Sequence, residues 1–134
     1  MRNKRLLAAL AAAAGLAAGV AIAAPPLGLS VGRWQLHEIG TGAPARFVCV
    51  RDPLQLIQLN HPGIACSRFV IDDSPGHLTM QYKCEGAGYG RSTITVEQPG
   101  LIRLDTQGIG PNGQPFDTSY EGRLSGECGS GKPR

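Results

Sequence analysis

Four cysteines, three histidines and one pair of adjacent aspartates are the residues of this chain whose types invite chemistry. Zinc held by thiolates needs close ligand pairs such as Cys-x2-Cys, and a redox dithiol needs Cys-x-x-Cys. The gaps between Cys49, Cys66, Cys84 and Cys128 are far wider, so no metal ligand is assigned. An even number in a small chain reads instead as a disulfide framework, with three possible connectivities. His37, His61 and His77 are scattered among strand, loop and turn, and each reads as a surface or turn histidine. Asp72 and Asp73 would point to opposite faces of a strand, or cap amides in a turn, so they make no acid–base pair. Gly90-Arg91-Ser92-Thr93-Ile94 approaches the Gly-x-Ser-x-Gly nucleophile turn but lacks its last glycine and sits where a strand begins. Gly86-Ala87-Gly88-Tyr89-Gly90 has a phosphate loop's glycines without the helix that would offer its N-terminus to an anion. It reads as a flexible hairpin loop with Tyr89 exposed. The expectation is a non-enzymatic protein without a cofactor.

The compartment decides what cysteine means. Met1 to Arg5 carries three positive charges, and Leu6 to Ala24 is an apolar, alanine-rich run ending in Ala21-Ile22-Ala23. That is the plan of a secretory signal, residues 1–23, cut after Ala23 and leaving one domain over residues 24–134. The run is rich in Ala and Gly, which gives it little drive to remain in lipid as an anchor. Of thirteen Lys/Arg and ten Asp/Glu, removal of Arg2, Lys4 and Arg5 leaves a balance. Nucleic acid and anionic membrane surfaces are therefore not expected partners, and membrane contact is expected only through the signal segment before cleavage.

The residues between Cys66 and Cys84 fold naturally as a hairpin about Pro75. Cys66 then faces Cys84, Arg68 faces Tyr82, Val70 faces Met80 and Asp72 faces Leu78, with Pro75-Gly76 supplying the turn. Directly opposed residues bring their Cβ atoms within bridging distance, so the geometry favours Cys66–Cys84 and leaves Cys49–Cys128. Strands are predicted at 31–39 and 45–50. A short helix, Leu54 to Leu59, follows Asp52-Pro53 as N-cap and first-turn proline. A second hairpin about Pro99 pairs 92–97 with 101–107, setting Ile94 against Leu104 and Val96 against Ile102, and the last strand runs over 116–124. The fold class is all-β: an antiparallel meander of seven strands curling into a sandwich or partial barrel, with one short helix and two disulfides.

Gly32-Arg33-Trp34 opens this domain, Val48-Cys49-Val50 precedes the helix, Cys66 and Cys84 bracket the hairpin, and Glu121-Gly122-Arg123-Leu124-Ser125-Gly126-Glu127-Cys128 closes it. In order and spacing these resemble the small exported bacterial proteins grouped as domain-of-unknown-function family 3617. Arg51-Asp52-Pro53 departs from the Thr-Pro-Glu usual in that pattern. The resemblance implies a periplasmic β-rich protein and brings no catalytic residues.

The expected function is a non-catalytic envelope protein that binds a partner protein or small ligand through one face or loop rim. Aromatic residues and Arg dominate binding hot spots, which singles out Arg33, Trp34, Tyr89 and Tyr120. Trp34, two positions before Leu36, reads as core, and Tyr120 falls on an apolar face, so Tyr89 is the aromatic free to bind, with Arg91 and Glu85 beside it. One alternative is an inhibitor of a secreted hydrolase. Tyr82-Lys83-Cys84-Glu85-Gly86 is similar to a short motif in lysozyme inhibitors, and Glu85 to Arg91 would be the inhibitory loop. The other is a lipocalin-like carrier, which needs a barrel wider than its side chains fill. Expressed in a bacterium with its leader intact, the protein should be recovered from the periplasmic fraction beginning at Ala24, as read by intact mass.

Overall fold

The computed structural model describes residues 14–19 and 27–129. The expected cleavage point after Ala23, and the expected leader apart from residues 14–19, lie outside them. Short two-faced segments separated by Gly/Pro turns lay down β1 (Gly32–Glu38), β2 (Arg46–Val50), β3 (Cys66–Ser74), β4 (His77–Cys84), β5 (Gly88–Gln98), β6 (Leu101–Ile109) and β7 (Pro115–Gly126), with one helical turn, α1 (Leu54–Ile57). The helix is shorter than its apolar run suggested. Asp52 Oδ1 accepts from the Leu54 N–H at 2.9 Å and Gln55 Oε1 accepts from the Asp52 N–H at 3.0 Å, a reciprocal cap of the first turn. After Ile57 the backbone leaves helical geometry at Gln58, whose side chain bonds instead to the Ile64 carbonyl and to Arg68.

All seven strands belong to one antiparallel sheet in the order β2-β1-β7-β6-β5-β4-β3. From β3 to β7 the chain is a meander, and β7 then pairs with β1. Six spacings of about 4.8 Å would set the edge strands about 29 Å apart if the sheet were flat. Yet Arg46 and Val48 of β2 and Arg68 of β3 line one groove of about 430 Å³ together with Leu54, Gln58 and Ile64 of the intervening segment. The sheet therefore curls, and the segment between β2 and β3 occupies the gap. It is a partial barrel, open where a closed one would join its edges.

The hairpin expectations hold with one correction. Cys66 faces Cys84, Arg68 faces Tyr82 and Val70 faces Met80, but Asp72 faces Thr79 and Asp73 faces Leu78. Pro75-Gly76, with Gly76 at φ 72°, makes a two-residue turn closed by Ser74 and His77. That closing pair is out of step with the cysteine pair, and a bulge between Val70 and Asp72 absorbs the difference. In the second hairpin Ile94 faces Leu104 and Val96 faces Ile102.

The core lies on the inner face, where Trp34, Leu36, Tyr82, Ile94, Ile102 and Leu104 pack with Leu56, Ile57 and Leu59. Trp34 Nε1 donates to the Ser30 carbonyl at 3.0 Å, which satisfies its one donor. At Gly122 a Cβ would come 2.7 Å from Ile102 Cγ1, so glycine there lets β6 and β1 side chains meet across β7. The bridges are Cys66–Cys84 and Cys49–Cys128, bonds that form and persist in an oxidising compartment. Among the described residues no helix is long and apolar enough to cross a membrane. Cys49–Cys128 closes a span of 79 residues and Cys66–Cys84 one of 18. In denaturant unfolding, replacing the first pair by alanines should cost about 4 kcal/mol and the second about 3 kcal/mol, the order set by loop length.

Candidate functional site

The outer face of the sheet is a grid set by register. One row crosses five strands as Phe69, Gln81, Arg91, Gln107 and Asp117. The next carries Ser67, Lys83, Tyr89, Ile109 and Pro115, and on the other side run Thr79, Thr93, Asp105 and Ser119. Tyr89 and Arg91, two apart on β5, therefore share a face. They line an open depression of about 410 Å³ with Gln81, Gln107, Phe116 and Asp117. A neighbouring depression of about 650 Å³ shares Tyr89 and Gln81 and adds Ser67, Phe69 and Lys83. The surface so formed holds aromatic rings at one end and mixed charges and amides at the other.

Its electrostatics are fixed along one border. Burial pushes the Asp105 carboxyl up, but hydrogen bonds from Arg103 and Ser119 and the Arg103 charge outweigh it and hold the group below the usual carboxylate range. Arg103 Nε reaches both Asp105 oxygens at 3.0 and 3.1 Å. Asp105 is thus an occupied anion, whereas Tyr89 is half exposed and Arg91 is exposed, and neither makes a side-chain hydrogen bond or ion pair within the described residues.

Tyr89 is exposed as expected, but not on a flexible loop. The turn is confined to Glu85–Ala87, with the Ala87 N–H bonded to the Cys84 carbonyl at 2.9 Å, and β5 begins at Gly88. The glycines serve close approach. A Cβ at Gly88 would strike the Ile109 carbonyl, and one at Gly90 would strike the Tyr82 phenol. The strand is consequently pressed against its neighbours, and Tyr89 and Arg91 stand on a rigid base. Glu85 is exposed on the turn and lines neither depression. Trp34 and Tyr120 are buried. Arg33 lies elsewhere on the outer face, its guanidinium 4.0 Å above the Phe47 ring.

The residues weighed for catalysis are dispersed. Ser92 is fully buried, donating to the Ile57 carbonyl at 2.7 Å and accepting from Thr106 at 2.7 Å. Asp72 and Asp73 oppose different residues of β4, and His77 sits at the hairpin tip, 3.6 Å from Asp72. His61 overturns the expectation of a surface or turn histidine: it is wholly buried. Its Nε2 lies 3.0 Å from the Ile109 carbonyl, which can only accept, so Nε2 carries the proton. Nδ1 then accepts from the Tyr82 hydroxyl at 2.9 Å. The signal was in the hairpin: Tyr82 falls on the apolar face, and a buried phenol requires a polar partner. No family model, curated protein or solved structure matches this chain.

Burial pushes the Tyr82 phenol up to about 12. A raised value in the fold stabilises the protein below the ordinary tyrosine range, near 10, and that stability is lost as pH climbs from there towards 12. Wild-type protein should thus lose stability over this alkaline window, while Tyr82→Phe should lose less over the same window. At neutral pH, Tyr82→Phe should cost about 1–3 kcal/mol because His61 Nδ1 is left buried without a donor. Denaturant unfolding at a series of pH values checks both.

Proposed function

We propose that this is a non-catalytic binding protein of the bacterial cell envelope, exported to the periplasm or beyond, which holds a partner through the outer face of its sheet. One observation carries the reading: Tyr89 and Arg91 are displayed side by side on rigid strand β5, beside an open depression, with neither side chain engaged by the rest of the described fold. Aromatic and guanidinium groups are the side chains that most often anchor interfaces, and a strand holds them with little ordering cost on binding. Gln81, Gln107 and Asp117 supply donors and acceptors around the anchor, which suits a protein loop or polar ligand better than a lipid. The two disulfides and the leader-like start support the location, and the resemblance to family 3617 agrees with it.

The inhibitor reading asks for a projecting plug, for which the Glu85–Ala87 turn offers a short one. The carrier reading draws on the seam groove, where Val48, Leu54, Leu59 and Ile64 supply apolar wall and Arg46 and Arg68 supply charge. An amphiphilic anion would suit it.

Oxidised protein used as bait against envelope extract should retain one stoichiometric partner. Tyr89→Ala and Arg91→Ala should each weaken that capture by about thirtyfold, the effect of a 2 kcal/mol hot spot, with unchanged thermal unfolding because both side chains face solvent. Capture that is indifferent to both substitutions would move the site off this face.

A further inference from the structure

Strand β3 is hydrogen-bonded on one side to β4 and open on the other. Every residue from Ser67 to Asp73 is exposed, and Phe69, Val70 and Ile71 keep 69%, 49% and 41% of their surface in water. Three consecutive large apolar side chains on the free edge of a nine-residue strand form a template for another strand. The backbone is also poised for it. The Cα atoms of Cys66 and Cys84 are 4.2 Å apart, the close spacing of a pair that does not exchange hydrogen bonds. By alternation Arg68 and Val70 belong to the same kind of pair. The N–H and C=O groups of Cys66, Arg68 and Val70 therefore turn towards the open edge.

We propose that β3 pairs antiparallel with β3 of a second copy of this chain, about a two-fold axis at Phe69 that sets each Arg68 against the other copy's Val70, so that two seven-stranded sheets become one. The strand is its own complement. Arg68 precedes the apolar centre and Asp72-Asp73 follow it, so an antiparallel copy sets each Arg68 beside the other chain's acidic end, twice, with apolar side chains meeting between. A parallel copy would align like charges. Arg68 bonds Gln58 through Nε alone, at 2.8 Å, which leaves its terminal nitrogens for the carboxylates.

The features that usually protect an edge here select the partner. Charges repel an arbitrary strand and favour this one, and the bulge between Val70 and Asp72 ends the ladder after a short run. A self-complementary patch used by both copies closes as a dimer, whereas joining β3 to the β2 edge of the next copy would leave ends open and build a fibre.

Sedimentation of the oxidised protein over rising concentration tests this. The mass should climb from one chain to two. Val70→Pro removes an N–H that faces the open edge and none that faces β4, and Phe69→Lys places a charge at the centre from a side chain already in solvent. Each should hold the mass at one chain, and Phe69→Lys decides the matter if Val70→Pro does not fold. Arg68→Glu protein and Asp72→Arg/Asp73→Arg protein should associate poorly alone and form a mixed dimer when combined. A protein that stays monomeric at every concentration would overturn the proposal. So would a dimer untouched by Phe69→Lys, or charge variants that do not associate when mixed.

Discussion

One imidazole ring ties the segment between the edge strands to the inner face of the sheet. His61 sits in the segment between β2 and β3 and binds the Tyr82 hydroxyl of β4 through one nitrogen and the Ile109 carbonyl of β6 through the other. With the Ser92 bond to the Ile57 carbonyl, these contacts hold the α1 segment against the inner face. Leu56, Ile57 and Leu59 then complete a core that a bare sheet of this size would leave wet. Each buried polar group in this set has its partner, and the low dielectric that strengthens the bonds also makes their separate loss expensive. Remove the ring and the segment loses two of its bonds to the sheet, leaving the Ser92 bond and the packing of Leu56, Ile57 and Leu59 to hold it.

That arrangement explains why the outer face is free for another purpose. With apolar burial completed inside, the outward residues of β4 to β7 need only be compatible with solvent, and they form rows of amides, hydroxyls and opposite charges. Against this background stand the rings of Tyr89 on β5 and of Phe69 on the edge strand β3, the one half exposed and the other more so. About half of the Tyr89 side chain and more of Phe69 stay in water, and these two rings are the ones on which the proposed surfaces are built.

Much of this was legible in the residues and their spacing. The cysteine pairing followed from one hairpin register, and the second hairpin followed from the alternation of Ile94, Val96, Ile102 and Leu104, because both signals are local. The exposure of Tyr89 was legible from its place among glycines, though it stands on a strand rather than a loop. Three things were hidden. The bulge near Ile71 arises from a conflict between turn and cysteine register, each sensible alone. Glycines at 88 and 90 looked like loop formers, and only their neighbours, Ile109 and Tyr82, reveal that they serve close packing within a strand. His61 was read as a surface or turn residue because its partners lie 21 and 48 positions away, beyond any local pattern.

The Cys49–Cys128 bridge has a mechanical meaning. Tension applied between the chain's two ends reaches Cys128, crosses the bridge to Cys49, and returns through β2 and β1. The 79-residue span between the two cysteines, which contains β3 to β7 and α1, is bypassed by that covalent path and feels the load only where β7 pairs with β1. Arg33 and Cys49 stand opposite each other, so the strand under load is β1, which must part from β2 on one side and from β7 on the other. Stretched between two anchors, such a molecule would give up β1 and then lengthen no further, the rest of its sheet held behind a covalent short-circuit.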